Sequence, residues 1–211
     1  PALRRQDRFD FLGQLLLLTQ LVEDFFDFHQ SEPRARMLAA LESVRGELGR
    51  ACPLWIHGKP VTTAETFNSL SPADPNRVVG VISKANVDLA EKAVRCAADH
   101  FKTWSRVAPE VRARVLIKAA AIMRRRVYEL SAWECYEVSK SWLEAYADVC
   151  EAIDFLEFYG REMMRLGGSH PCTTYPGEEN EVRYIPLGVG VVIPPWNFPL
   201  AICAGMTSAA L

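Results

Sequence analysis

The stretch GVGVVIPPWNFPLAI, residues 188–202, limits what this chain can fold into more than any other. A β-branched run over 188–193 reads as a buried-looking strand. Two prolines follow it, and the chain then turns helical at Phe198 or Pro199. Strands flanked by helices build layered folds, so the expected class is α/β. Gly188 and Gly190 invite a dinucleotide fingerprint, but the third glycine is missing and the pair precedes the strand instead of following it. That motif is rejected.

Upstream, Phe11, Leu15, Leu18, Val22 and Phe25 repeat at helical spacing over 9–28, and a second helical stretch over 33–48 stops at Gly49. Together they form an expected helical extension over residues 1–50. Its aromatic residues Phe9, Phe25, Phe26 and Phe28 are expected to pack onto the rest of the chain, a partner-binding face being the alternative. LWIHGKPV is an apolar stretch broken by Gly58, and turn chemistry at Pro72, Asp74 and Pro75 leads into a short strand over 78–82. From Val87 the period changes: Val87, Ala90, Val94, Ala97, Phe101 and Trp104 define an amphipathic helix begun by Asn86 or Asp88. Val111, Val115, Ala119 and Ile122 continue helically after Pro109. Arg124, Arg125 and Arg126 read as a solvated helix face, since acidic residues lie nearby and no aromatics interleave. Ser141 and Glu144 form a capping box that opens a helix reaching about Arg165. Gly167 and Gly168 end it, and residues 167–186 are extended and polar.

A net charge of −2 argues against a nucleic-acid partner. The longest aliphatic run, residues 15–18, is far too short for a bilayer, and no charged-then-apolar leader opens the chain. A cytoplasmic protein without membrane partners is expected. The six cysteines (Cys52, Cys96, Cys135, Cys150, Cys172 and Cys203) are scattered and read as reduced, mostly buried thiols. With the four histidines they make no metal-like spacing, so no metal site is expected.

The segment IPLGVGVVIPPWNFPLAI resembles the aldehyde dehydrogenase superfamily, whose cofactor domain carries Pro-Trp-Asn-Phe-Pro between a strand and a helix. LWIHGKPV, NSLSPADPNRVVGVI, AVRCAADHFKTWS and PEVRARVLIKAAAIMRRR follow the family in order, so the similarity runs from about Leu54 onward. The resemblance implies a Rossmann-like cofactor domain, with 51–166 and 187–211 as its first parts. Residues 167–186 become an oligomerisation-type segment, and a homo-oligomer is implied. It assigns Asn197 as the donor to the oxyanion that forms when a cysteine thiolate adds to an aldehyde. A neutral, fixed amide suits that task; the plainer alternative is that Asn197 caps the following helix. The resemblance also makes Ile193, Pro194, Pro195 and Trp196 a wall for NAD, although many family members carry isoleucine or serine where Pro194 stands.

SKSWLEAYADVCEAIDFLEFYGREMMR and SEPRARMLAALESVRGELGRACPLWIHGK resemble the branch that oxidises L-glutamate γ-semialdehyde in proline catabolism. There Glu151 matches a carboxylate beside the substrate α-ammonium group, and Phe198 matches an aromatic against its aliphatic part. None of the six cysteines has the flanks of the family's nucleophile. The chain is therefore expected to be an N-terminal part, inactive alone, whose nucleophile, general base and cofactor lysine lie beyond Leu211. A proline dehydrogenase domain fused upstream is entertained, because Pro1 is not a natural start. The alternatives are another semialdehyde or aldehyde dehydrogenase, or a non-catalytic oligomerisation module.

Overall fold

A computed structural model describes residues 26–211. The first elements in order are helix α1 (Ser31–Arg45), strands β1 (Arg50–Cys52), β2 (Leu54–Ile56), β3 (Lys59–Val61), β4 (Thr66–Ser71) and β5 (Asp74–Ser83). Helices α2 (Val87–Trp104), α3 (Pro109–Arg125), α4 (Val127–Glu137) and α5 (Trp142–Leu166) follow. Short strands β6 (His170–Pro171) and β7 (Glu181–Val182) and helix α6 (Ala201–Ala210) complete the described part.

The core is helical. Met37 and Val44 of α1, Leu116 and Ala120 of α3, Tyr128 and Ala132 of α4 and Tyr146, Val149 and Ile153 of α5 are buried together. Phe26 and Phe28 close its end as expected: Phe26 lies 4.5 Å from the Tyr146 ring and 5.1 Å from Tyr128, and Phe28 meets Trp142 at 5.6 Å. Residues 26–28 are not helical, so the predicted 9–28 helix does not extend that far, and the rest of it lies outside the described residues. The second helix ends at Gly46, not Gly49. Gly49 instead takes φ +79 to turn the chain into β1, a conformation glycine reaches without a Cβ penalty.

The sheet order is β1-β5-β4, with β1 parallel and β4 antiparallel to β5. Strand β5 is twice the expected length, because the turn between Ser71 and Asp74 pairs both flanks as a hairpin. A second hairpin joins β2 to β3 through His57 (φ +55) and Gly58 (φ +66), the positive-φ pair that a two-residue turn requires. His57 Nδ1 meets Cys96 Sγ of α2 at 3.2 Å.

Asn86 caps α2, accepting from Leu89 N at 2.9 Å, and the Ser141–Glu144 capping box opens α5. Helix α2 has the expected period but no buried residue; Val87 and Val94 are exposed, because the element it packs on is the small hairpin. Arg124 is not simply solvated: it pairs with Glu157 of α5 at 2.7 Å.

Two further expectations fail. Residues 188–193 form no strand, since a strand needs a ladder partner and none lies beside them among the described residues; Ile193 is 79% exposed. The six cysteines are free, but only Cys150 is buried. Cys203, expected in the packing of the last helix, is exposed because it faces away from α5.

Candidate active site

The site forms where α6 begins. This helix is apolar and docks on α5, with Ala201, Gly205 and Ser208 buried. Gly205 permits the close approach: a Cβ there would stand 2.9 Å from the Phe155 ring. Leu200 occupies the cap position and offers no side-chain cap hydrogen bond. Asn197 therefore does not cap this helix, and the plainer alternative for it falls. Its residue is exposed, and its carboxamide makes no hydrogen bond within the described residues.

What holds the turn comes from elsewhere in the fold. Asp148 of α5, fully buried, accepts a hydrogen bond from Ala201 N at 2.7 Å. Its other oxygen takes Lys140 Nζ in a short, charge-assisted contact. The same ammonium lies 4.1 Å from the centroid of the Phe198 ring, a cation–π contact. The turn is thus pinned at Phe198 and at Ala201, and Asn197 sits next to the first pin.

Glu134 of α4 completes the cluster. It is 4% exposed, its Oε2 is 3.5 Å from Lys140 Nζ, and neither carboxyl oxygen has a hydrogen-bond partner among the described residues. Burial first, and then the Asp148 charge, push its carboxyl up to about 9. A neutral Glu134 leaves one carboxylate for one ammonium, so the buried cluster is uncharged overall. Glu134 also lines a 300 Å³ cavity with Pro199, Leu200 and Glu137 on the side of the turn facing the sheet.

The sequence-predicted residues are distributed around this anchor. Glu151 stands one helical turn beyond Asp148, at the surface of α5. Partial burial of its carboxyl, then the Asp148 charge, raise it above the ordinary carboxylate range. Phe198 is brought to Lys140. Ile193 and Trp196 are each 79% exposed, flanking Pro194 and Pro195. These four side chains present apolar surface on a backbone stiffened by two prolines, which fits one face of a nicotinamide or ribose. They supply no charged or hydroxyl group for phosphates. Sequence reading missed Lys140, Asp148 and Glu134. The available signal was a charge inside an apolar stripe, since Asp148 sits among Ala145, Val149 and Ala152, all buried.

The sequence profile described as the aldehyde dehydrogenase family matches residues 59–211. The chain belongs to the aldehyde dehydrogenase family. Within that family it is 53% identical over 189 residues to the 1-pyrroline-5-carboxylate dehydrogenase of Geobacillus thermodenitrificans, covering 90% of this chain and 37% of that protein. The structure of 1-pyrroline-5-carboxylate dehydrogenase from Thermus with bound NAD matches with a TM-score of 0.84 at 49% identity, over 88% of this chain and 36% of that one. Proline utilization A from Bdellovibrio bacteriovorus matches with a TM-score of 0.85 at 38% identity, over 88% of this chain and 19% of that one. The α/β aldehyde dehydrogenase fold is thus shared over the aligned part. The chain spans 37% of the length of the curated relative it matches. No helix among the described residues is long and apolar enough to cross a membrane.

Proposed function

We propose that this chain supplies the oxyanion donor and part of the cofactor wall of an NAD-dependent dehydrogenase that oxidises L-glutamate γ-semialdehyde to L-glutamate. One observation carries the reading. Asn197 is exposed and unpartnered on a turn whose two flanks are anchored to buried groups. An amide held that way is free to donate to a ligand and loses little freedom in doing so.

When a thiolate adds to an aldehyde carbon, charge develops on the carbonyl oxygen. The Asn197 N–H stabilises that oxygen without transferring a proton to it. Ile193, Pro194, Pro195 and Trp196 form an apolar wall against the cofactor and keep water from that face. NAD, when bound, accepts the two electrons and proton equivalent of the oxidation. Glu151 pairs with the substrate α-ammonium group, and Phe198 packs on its methylene chain. No cysteine of this chain has the setting of the family's nucleophile, so residues 1–211 alone are inactive in this reading. Residues 51–166 and 187–211 belong to the NAD-binding domain, 1–50 are an extension, and 167–186 pair between copies in a homo-oligomer. The setting is the cytoplasm. A proline dehydrogenase domain fused upstream is part of this reading, supported by the likeness to proline utilization A.

The test uses the polypeptide at the full length of its relatives, with glutamate semialdehyde and NAD, following NADH formation. Asn197→Ala lowers kcat roughly 10²- to 10³-fold with an unchanged circular dichroism spectrum. A variant that turns over at the parental rate would sink the assignment.

A further inference from the structure

The turn that carries Asn197 has few internal ties. Phe198 O accepts from Ile202 N at a long 3.3 Å, and Leu200 O accepts from Ala204 N at 2.8 Å. The first helical N–H groups of α6 have no local side-chain cap. The cap that exists is tertiary: Asp148, 53 residues earlier, reaches Ala201 N from α5. Because a helix begins with unsatisfied N–H groups, that acceptor decides where the first turn of α6 starts. It thereby decides the path of the three residues between Asn197 and Ala201, Phe198, Pro199 and Leu200.

We infer that Asp148 is the positioning residue of the oxyanion turn, acting through its hydrogen bond to Ala201 N. Lys140 holds the Asp148 carboxylate in the orientation that leaves Oδ1 for that bond. Glu134 adds no charge against it. Asp148 does not touch the reacting atoms. Its effect reaches them because misplacing a donor by about 1 Å costs about 10²-fold in rate. This inference rests on the reading of Asn197 as the oxyanion donor.

Single substitutions of Asp148 would strand the Lys140 ammonium in the interior and confuse folding with positioning. Two double variants avoid this. Lys140→Met with Asp148→Asn removes both charges but keeps a side-chain oxygen for Ala201 N. Lys140→Met with Asp148→Leu removes both charges and the acceptor. Both leave the cluster neutral, and both lose the ammonium over Phe198, so they differ at one hydrogen bond.

In the enzyme at the full length of its relatives, the leucine double is expected to have kcat about 10- to 100-fold below the asparagine double, with similar KM. In ¹⁵N-labelled residues 1–211, both doubles lack the ammonium over Phe198, and the leucine double is expected to shift the Ala201 amide and Asn197 carboxamide cross-peaks away from their positions in the asparagine double. Equal kcat values, or Asn197 cross-peaks that coincide in the two doubles, overturn the inference. A fall confined to KM also overturns it. If the unsubstituted enzyme shows no turnover, the dehydrogenase reading fails, and the cross-peaks still decide whether Asp148 sets the turn.

Discussion

Replacing Glu134 by glutamine should make the protein more stable, by an amount that depends on pH in a defined way. The Glu134 carboxyl moves from 4.5 in the unfolded chain to about 9 in the fold, chiefly through burial. At pH 7 the unfolded chain has released this proton and the folded chain keeps it. Folding therefore takes up a proton, and stability falls as pH rises between the two values. Each pH unit is worth about 1.4 kcal/mol. Neutral pH lies about two and a half units above the ordinary value, so the cost at pH 7 is about 3 kcal/mol. Glutamine keeps the shape and carries no such proton. Urea unfolding at pH 5, 6, 7 and 8 would measure the gap between the two proteins. It is expected to be below about 1 kcal/mol at pH 5, to reach about 3 kcal/mol at pH 7, and to widen further at pH 8. Any packing difference of the amide adds a constant offset, and Glu137 and Glu151, also raised by burial, are common to both proteins. The slope is thus the signal. A gap that stays constant from pH 5 to pH 8 would mean that Glu134 is ionised in the fold, and the account of a neutral cluster would be refuted.

Gly205→Ala is expected to destabilise the protein by about 1–3 kcal/mol despite alanine's better helix propensity, because the new Cβ meets the Phe155 ring at 2.9 Å. Thermal unfolding checks this, and an unchanged or raised Tm would show that α6 does not lie so close to α5. Arg124→Met is expected to cost about 1–2 kcal/mol, since it leaves the half-buried Glu157 with Arg161 alone. Although burial pushes the Glu157 carboxyl up, hydrogen bonds from Arg124 and Arg161 hold it below the ordinary range. Its contribution is therefore present at neutral pH and is lost as pH falls through its folded value. The Arg124→Met penalty should shrink in acid, and a penalty independent of pH would count against the pairing.

The parts that sequence made legible are those governed by neighbours in the chain. Helix α2 begins at Asn86, and α5 at the Ser141–Glu144 box, because a side chain three residues away satisfies a backbone N–H. The Pro-Pro-Trp-Asn-Phe-Pro turn is likewise local, and its residues pointed to the family before any coordinates did. Strand 188–193 failed for the opposite reason: its pattern is strand-like, but a ladder needs a second strand, and pattern cannot supply one. Exposure of Cys203 and the lack of a buried face on α2 also depend on what packs opposite.

Lys140, Asp148 and Glu134 show the division most clearly. In sequence Glu134 and Lys140, on α4 and on the link after it, read like solvated charges, and only Asp148, inside the apolar stripe of α5, stands out. Packing α4, α5 and α6 together removes their water, forces one carboxyl to hold its proton, and leaves a carboxylate oxygen for Ala201 N. The Pro-Trp-Asn-Phe-Pro order that places Asn197 was written in the sequence itself. Which acceptor meets Ala201 N at the start of α6 was decided by packing across 53 residues of chain, which takes Asp148 out of water only once the helices have met.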